Sequence, residues 1–113
     1  MKLSLKQQAN KKINGNTCTV FEYALNSDMF DVAVVKITGR YPHERRVTNT
    51  ACVELAYVCE GQGKIVINHV EQQLNIGDIV VIEAGEKYYW EGVMQLFISC
   101  RPAWNNEQHQ IVD

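Results

Sequence analysis

Short apolar runs closed by turn signals follow one another along most of the chain. They are Thr17 to Leu25, Phe30 to Thr38, Val53 to Cys59, Lys64 to Asn68, Ile79 to Glu83, Tyr88 to Trp90 and Val93 to Cys100. Between them lie Asn26-Ser27-Asp28, Gly39 with Pro42, Gly61-Gln62-Gly63, Asn68-His69, Gly77-Asp78 and Ala84-Gly85-Glu86, which are residues that set turn geometry. Turns about 10 residues apart predict an all-β sandwich or barrel. Only Leu3 to Lys12 reads as a possible helix, and it is short and polar. The margins, Met1 to Gly15 and Trp104 to Asp113, are polar, and no internal repeat, low-complexity segment or linker interrupts the chain.

Composition agrees with the pattern. Val, Ile and Thr supply 27 of the 113 residues and Pro only two. β-branched side chains lose rotamer freedom in helices and fit a pleated surface. With 46% hydrophobic and 21% charged residues the chain is a core-former of single-domain size. A small antiparallel barrel of this kind can leave an interior just wide enough for one small ligand.

Charge removes some functions. Eleven Lys and Arg against thirteen Asp and Glu give −2, with no basic excess to neutralise a phosphate backbone, so nucleic acid is not expected as a partner. No apolar run reaches the length of a secretory core or a membrane span, so a cytoplasmic chain without membrane contact is expected. Cys18, Cys52, Cys59 and Cys100 contain no Cys-x-x-Cys pair and are expected to remain thiols.

Glu54-Leu-Ala-Tyr-Val-Cys-Glu-Gly61, the hairpin from Gly61 to Glu71, and Gly77-Asp78 with Gly85 resemble the two motifs of the cupins and the spacer between them. In the second motif Glu83 stands for the usual proline and Tyr88 for the usual histidine. Three further segments, Gly39-Arg40-Tyr41-Pro42, Tyr88 to Gly92, and Pro102-Ala103-Trp104 with Glu107-Gln108-His109, resemble a group of small stand-alone bacterial cupins that brings no known reaction with it. The resemblance implies a double-stranded β-helix, the cupin jelly-roll barrel, after a short polar N-terminal segment. It implies one domain over 1–113, with a barrel core at about 30–101 and a tail at 102–113 that caps or packs.

Metal-dependent cupins use a His-x-His pair, the Glu of the first motif and the His of the second. Here the pair falls on Thr48 and Thr50, or one residue earlier on Val47 and Asn49, and neither register contains histidine. Threonine hydroxyls and a phenol are poor ligands for the metals concerned. His43, His69 and His109 lie in the Pro42 loop, at a hairpin tip and near the C-terminus. No metal and no cofactor is therefore expected, and an atypical set of His43, His109 and Glu54 is the alternative.

Side chains alternate along strands. If Glu54 faces inward, as its motif counterpart does, so do Cys52, Ala56 and Val58, and Tyr88 and Trp90 face inward while Tyr89 faces out. A carboxyl enclosed by aromatic and aliphatic groups has its pKa raised by desolvation. Glu54 and Tyr88 are thus the candidate catalytic pair. Arg40, Thr48, Thr50, Trp90 and His109 are the candidate ligand contacts, with Arg40 a possible anion clamp. The expected function is metal-free binding of a small polar organic or sugar-like molecule. The alternative is a cupin enzyme, either an isomerase, epimerase or lyase using Glu54 and Tyr88 or a metalloenzyme with atypical ligands. A third possibility is a filled barrel that serves interaction only. The outward residues Val53, Leu55, Tyr57 and Cys59 form an apolar stripe, which implies cover by a second sheet or, as in small cupins, by the mate of a homodimer.

Overall fold

The computed structural model describes residues 1–113. Nine strands follow in order: β1 (Asn10–Ile13), β2 (Cys18–Tyr23), β3 (Asp31–Tyr41), β4 (Arg46–Asn49), β5 (Val53–Ile67), β6 (Val70–Leu74), β7 (Ile79–Ile82), β8 (Lys87–Arg101) and β9 (His109–Val112). Every pairing is antiparallel. One path of neighbours runs β1-β2-β3-β8-β4-β9, and β5 joins it along the other edge of β8 while also pairing with β6 and β7. The sheet curls so that its inner face encloses the core, as expected of an all-β barrel.

The inward residues of β3, β5 and β8 are aliphatic. Val35, Ile37, Ala56, Val58, Ile65 and Leu96 are all buried in one cluster. Burying a Val, Leu or Ile side chain contributes about 1.5–3 kcal/mol, so this face holds the barrel closed. The alternation read from Glu54 is present: Cys52, Glu54, Ala56 and Val58 are buried while Leu55 and Tyr57 are exposed. On β8, Tyr88 and Trp90 are buried and Tyr89 is half-buried on the other face. No second layer of this chain covers the outer face, where Leu55, Tyr57, Ile79, Val81 and Phe97 remain exposed.

Several boundaries differ from the sequence pattern. Gly61-Gln62-Gly63 does not separate two strands, because β5 runs through it with a bulge between Val58 and Glu60. The runs Tyr88 to Trp90 and Val93 to Cys100 are likewise one strand, β8. Gly39 pairs with Gly92, and Gly92 pairs with Gly63, so three glycines lie in one row across β3, β8 and β5. A Cβ at Gly92 would sit 2.5 Å from the Gly63 Cα, and Gly92 has φ +140°. At this row the β8 and β5 backbones approach too closely for a side chain on Gly92 or Gly63. Glycine marks bends inside strands as well as turns between them, and sequence alone does not separate the two.

The possible helix at Leu3 to Lys12 is instead a single 3-10 turn, Lys6–Gln8, followed by β1. This edge strand is polar and lysine-bearing, a composition that discourages further edge pairing. In the polar tail β9 pairs with β4, matching Asn49 with His109. Asn68 and His69, both at positive φ, form the two-residue turn joining β5 to β6. No helix is long and apolar enough to cross a membrane.

Candidate functional site

The barrel interior is not filled. A cavity of about 680 Å³ opens from it, which removes the reading of a solid barrel. Its floor carries Tyr41, Glu54, Tyr88 and Trp90, and one wall comes from β1 and β2 through Lys12, Cys18, Val20 and Glu22. Asp31, Trp104 and His109 also line the cavity, together with residues of β3 such as Val35 and Ile37. Tyr88 and Trp90 meet edge to face, with ring centroids 6.2 Å apart. Trp104 packs 5.5 Å from His109, and the Lys12 ammonium lies 5.4 Å over the Trp104 ring. Aromatic walls with a few convergent polar groups describe a small-molecule pocket.

Asn49 is the centre of the polar groups. It is buried at the end of β4, where that strand is held between β8 and β9. Its Nδ2 donates to Glu54 Oε1 at 3.2 Å and to the Tyr88 hydroxyl at 3.3 Å. Its Oδ1 accepts from Trp104 Nε1 at 3.2 Å and Gln108 Nε2 at 3.1 Å, and lies 2.7 Å from His109 Nδ1. One amide therefore joins β4 to β5, β8 and the C-terminal segment. Glu54 Oε1 also accepts from the Cys100 thiol at 3.6 Å.

These surroundings set the protonation states. Burial raises the Glu54 carboxyl to about 7, and the Cys100, Asn49 and Tyr88 hydrogen bonds offset only part of that. Burial likewise raises Tyr41 to about 12 and pushes Tyr88 well above its ordinary value, so both phenols keep their protons. Burial lowers His109, which favours neutral imidazole. Asp31 is raised by burial, although the Trp104 and Cys100 backbone N–H groups donate to it at 2.9 and 3.3 Å.

Glu54, Tyr88, Trp90 and His109 thus meet at one cavity. Three other candidates do not. The Arg40 guanidinium stacks 3.8 Å over Tyr89 and donates to the Pro42 and Arg45 carbonyls, bracing a loop outside the cavity rather than clamping an anion. Thr48 is buried with an unpartnered Oγ1 but does not line the cavity. Thr50 is exposed, and its hydroxyl donates to the Gln108 carbonyl rather than to Glu54. His43 and His69 are exposed and outside the cavity, so His43 does not join His109 and Glu54. Asn49, Gln108, Cys100 and Asp31 were not among the candidate residues. Asn49 was legible only as the second position of the earlier His-x-His register.

That register also tests the fit of a metal. Val47 and Asn49 occupy the pair, beside Glu54 and Tyr88. An aliphatic side chain and an amide that already donates and accepts on both sides do not supply ligands. No group of three His, Cys, Asp or Glu side chains is placed to hold a metal ion. The residues present do not fit the usual metal of this fold.

No protein-family model and no curated protein sequence matches the chain. Solved structures do. Pac13, a nucleoside dehydratase, superposes with a TM-score of 0.89 at 17% identity over 99% of this chain and 91% of that one. A Streptomyces Pac13 variant with uridine gives the same TM-score and identity over 99% and 90%. Ectoine synthase from P. lautus gives 0.77 at 17% identity, covering 100% of this chain and 91% of that one. KdgF from Halomonas sp. gives 0.72 at 12% identity, covering 95% and 97%. Identities this low establish the fold that these proteins share.

Proposed function

We propose that this cupin-fold chain binds a small, polar, organic or sugar-like molecule without net negative charge inside its barrel. The observation that carries this reading is the aromatic-walled cavity, in which Glu54 and His109 meet through one amide. Its charge selects the ligand class. Glu22, Asp31 and Glu54 face it, while its one cationic side chain, Lys12, already pairs with Glu22 at 3.5 Å. A phosphate or carboxylate would meet no free cation there. The uridine recorded with Pac13, a ring joined to an uncharged sugar, is a ligand of the same chemical kind.

A thermal-shift panel tests this with paired compounds: uncharged nucleosides and sugars beside their phosphorylated forms. Saturation at about 100 times Kd stabilises by about 2.7 kcal/mol. For a domain of this size that raises Tm on the order of 10 °C. An uncharged member is expected to give the rise and its phosphate none. A panel in which only the anionic forms stabilise overturns the reading.

A second reading, an enzyme using acid–base chemistry at Glu54 with Tyr88, is favoured by the Glu54 carboxyl held near neutrality. Enzymes of the same fold, including the nucleoside dehydratase and ectoine synthase, are consistent with it.

The bare outer sheet suits a homodimer. Leu55 pairs with Val81, and Tyr57 with both Ile79 and Phe97, making one uncharged apolar patch. Such a patch is complementary to itself and needs no partner of opposite charge, so a second copy is its proposed cover. Light scattering is expected to give twice the 12.9 kDa chain mass, and Tyr57→Glu to return it to one chain. A monomeric native protein at micromolar concentration sinks this element.

A further inference from the structure

His109 begins β9 and reaches the cavity from a segment that looked like a polar tail. Its Nδ1 lies 2.7 Å from Asn49 Oδ1, a separation that does not by itself say which atom carries the proton. Two neighbours decide it. The Trp104 indole nitrogen can only donate, and it is 3.2 Å from the same oxygen. Gln108 Oε1 accepts from the backbone N–H groups of Ala51 and Cys52, each at 3.2 Å. Its other arm is therefore the NH2, which donates to Asn49 Oδ1 at 3.1 Å. With two donors on that side, the Asn49 oxygen must face them and its NH2 must face Glu54 and Tyr88. His109 Nδ1 consequently bears hydrogen.

In a neutral imidazole the other nitrogen then carries a lone pair. Nε2 makes no hydrogen bond within the protein, and the one buried side-chain N or O atom without a partner is Thr48 Oγ1. Nε2 is therefore not sealed in the core, and the ring lines the cavity.

We propose that Asn49 is a positioning residue that holds His109 as its Nδ1–H tautomer, so that Nε2 faces the cavity as a proton acceptor complementary to the Glu54 carboxyl. The geometry stands without a ligand, whereas its use rests on the cavity reading above. The amide is oriented to favour charge separation. Its N–H points at Glu54 and its C=O at His109, so both hydrogen bonds strengthen when the carboxyl ionises and the imidazole is protonated. This suits an isomerisation of an uncharged substrate. In a substrate with a carbonyl beside the reacting carbon, a C–H bond breaks with its proton passing to Nε2 and its electron pair forming the new C=C bond. The carbonyl π bond breaks with its pair moving to oxygen, and Glu54 delivers a proton to that oxygen. The product has the atoms of the substrate and nothing is oxidised. Transfer of the imidazolium proton to the carboxylate through water restores both groups.

Nitrogen-15 NMR of the His ring correlations, recorded on the full chain without ligand near pH 7.5, tests the assignment. His109 is expected to show a protonated Nδ1 and an unprotonated Nε2, with exposed His43 and His69 as references inside the same molecule. Asn49→Asp keeps an acceptor for Nδ1–H and is expected to keep the tautomer. Asn49→Ser removes it and is expected to move His109 toward Nε2–H while the backbone amide spectrum stays that of a folded chain. A protonated Nε2 in the native protein overturns the proposal, as does an unchanged tautomer in a folded Asn49→Ser. The native spectrum decides even where a variant does not fold. A chain with the expected tautomer that binds no member of the ligand panel keeps this inference and loses the binding reading.

Discussion

Replacing Glu54 with Gln is expected to remove the loss of stability that its buried carboxyl imposes as pH rises from about 4.5 to 7. In the folded chain burial holds the Glu54 proton up to about 7, against an ordinary carboxyl value of 4.5. Between those values Glu54 binds more protons in the folded state than in the unfolded state, so its contribution to stability decreases with rising pH throughout that window. The loss is complete above the folded value and amounts to about 3 kcal/mol. Gln keeps an oxygen to accept from Asn49 Nδ2 but has no proton to lose. The variant is therefore expected to equal or trail the native protein near pH 4.5 and to exceed it at pH 8, by less than the full amount because the Cys100 and Tyr88 contacts are re-made imperfectly. Urea unfolding at four pH values measures this. A native slope that survives intact in Glu54→Gln excludes Glu54 as its source.

Other groups shape the same profile. His109 is lowered by burial, so below its ordinary value of 6.5 the unfolded chain binds a proton that the folded chain resists. Stability then falls with falling pH, the opposite sense to Glu54. Asp31, raised by burial, acts in the Glu54 sense at lower pH. Glu54→Gln should thus leave the acid-side loss from His109 and a residual slope from Asp31 while removing the neutral-range decline.

Much of the site follows from the side-chain period of a strand. Because strand residues alternate faces, placing Glu54 inside also placed Cys52, Ala56 and Val58 there, and the same step separated Tyr88 and Trp90 from Tyr89. The turn at Asn68-His69 was legible since few residue pairs accept positive φ twice. Legibility ended where one residue type serves two geometries. Gly39, Gly63 and Gly92 lie in one row inside continuous strands, yet a glycine inside a strand reads like a glycine at a turn. It ended again where partners are distant in sequence. Asn49 meets His109 60 residues away and Tyr88 39 residues away, and an Asn in a polar stretch announces neither. Arg40 differs for a related reason: its position beside the Pro42 loop points to a cavity mouth, while its guanidinium is held by that loop itself.

Gln108→Leu is expected to cost about 3 kcal/mol and to lower Tm on the order of 10 °C. Gln108 is buried, and its side-chain oxygen accepts from the Ala51 and Cys52 backbone N–H groups while its NH2 donates to Asn49 Oδ1. Leucine keeps much of the volume but leaves the buried Cys52 N–H unpaired and removes one donor from Asn49. Unpaired buried polar groups cost about 1–3 kcal/mol each. Gln108→Glu separates the two ends of that side chain. Its oxygens still serve the backbone N–H groups, but the arm facing Asn49 Oδ1 becomes a donor only when protonated. Its deficit is therefore expected to grow as pH rises, whereas that of Gln108→Leu relative to the native protein stays constant. Thermal unfolding of both variants at pH 5 and pH 8 distinguishes them. A Gln108→Leu protein within 0.5 kcal/mol of native, taking about 0.5 kcal/mol as the effect of an ordinary surface change, would mean that the segment carrying His109 is not anchored by this side chain. Trp104 and His109 would then owe their position to the β4–β9 ladder and to the hydrogen bonds that Trp104 donates to Asp31 and Asn49.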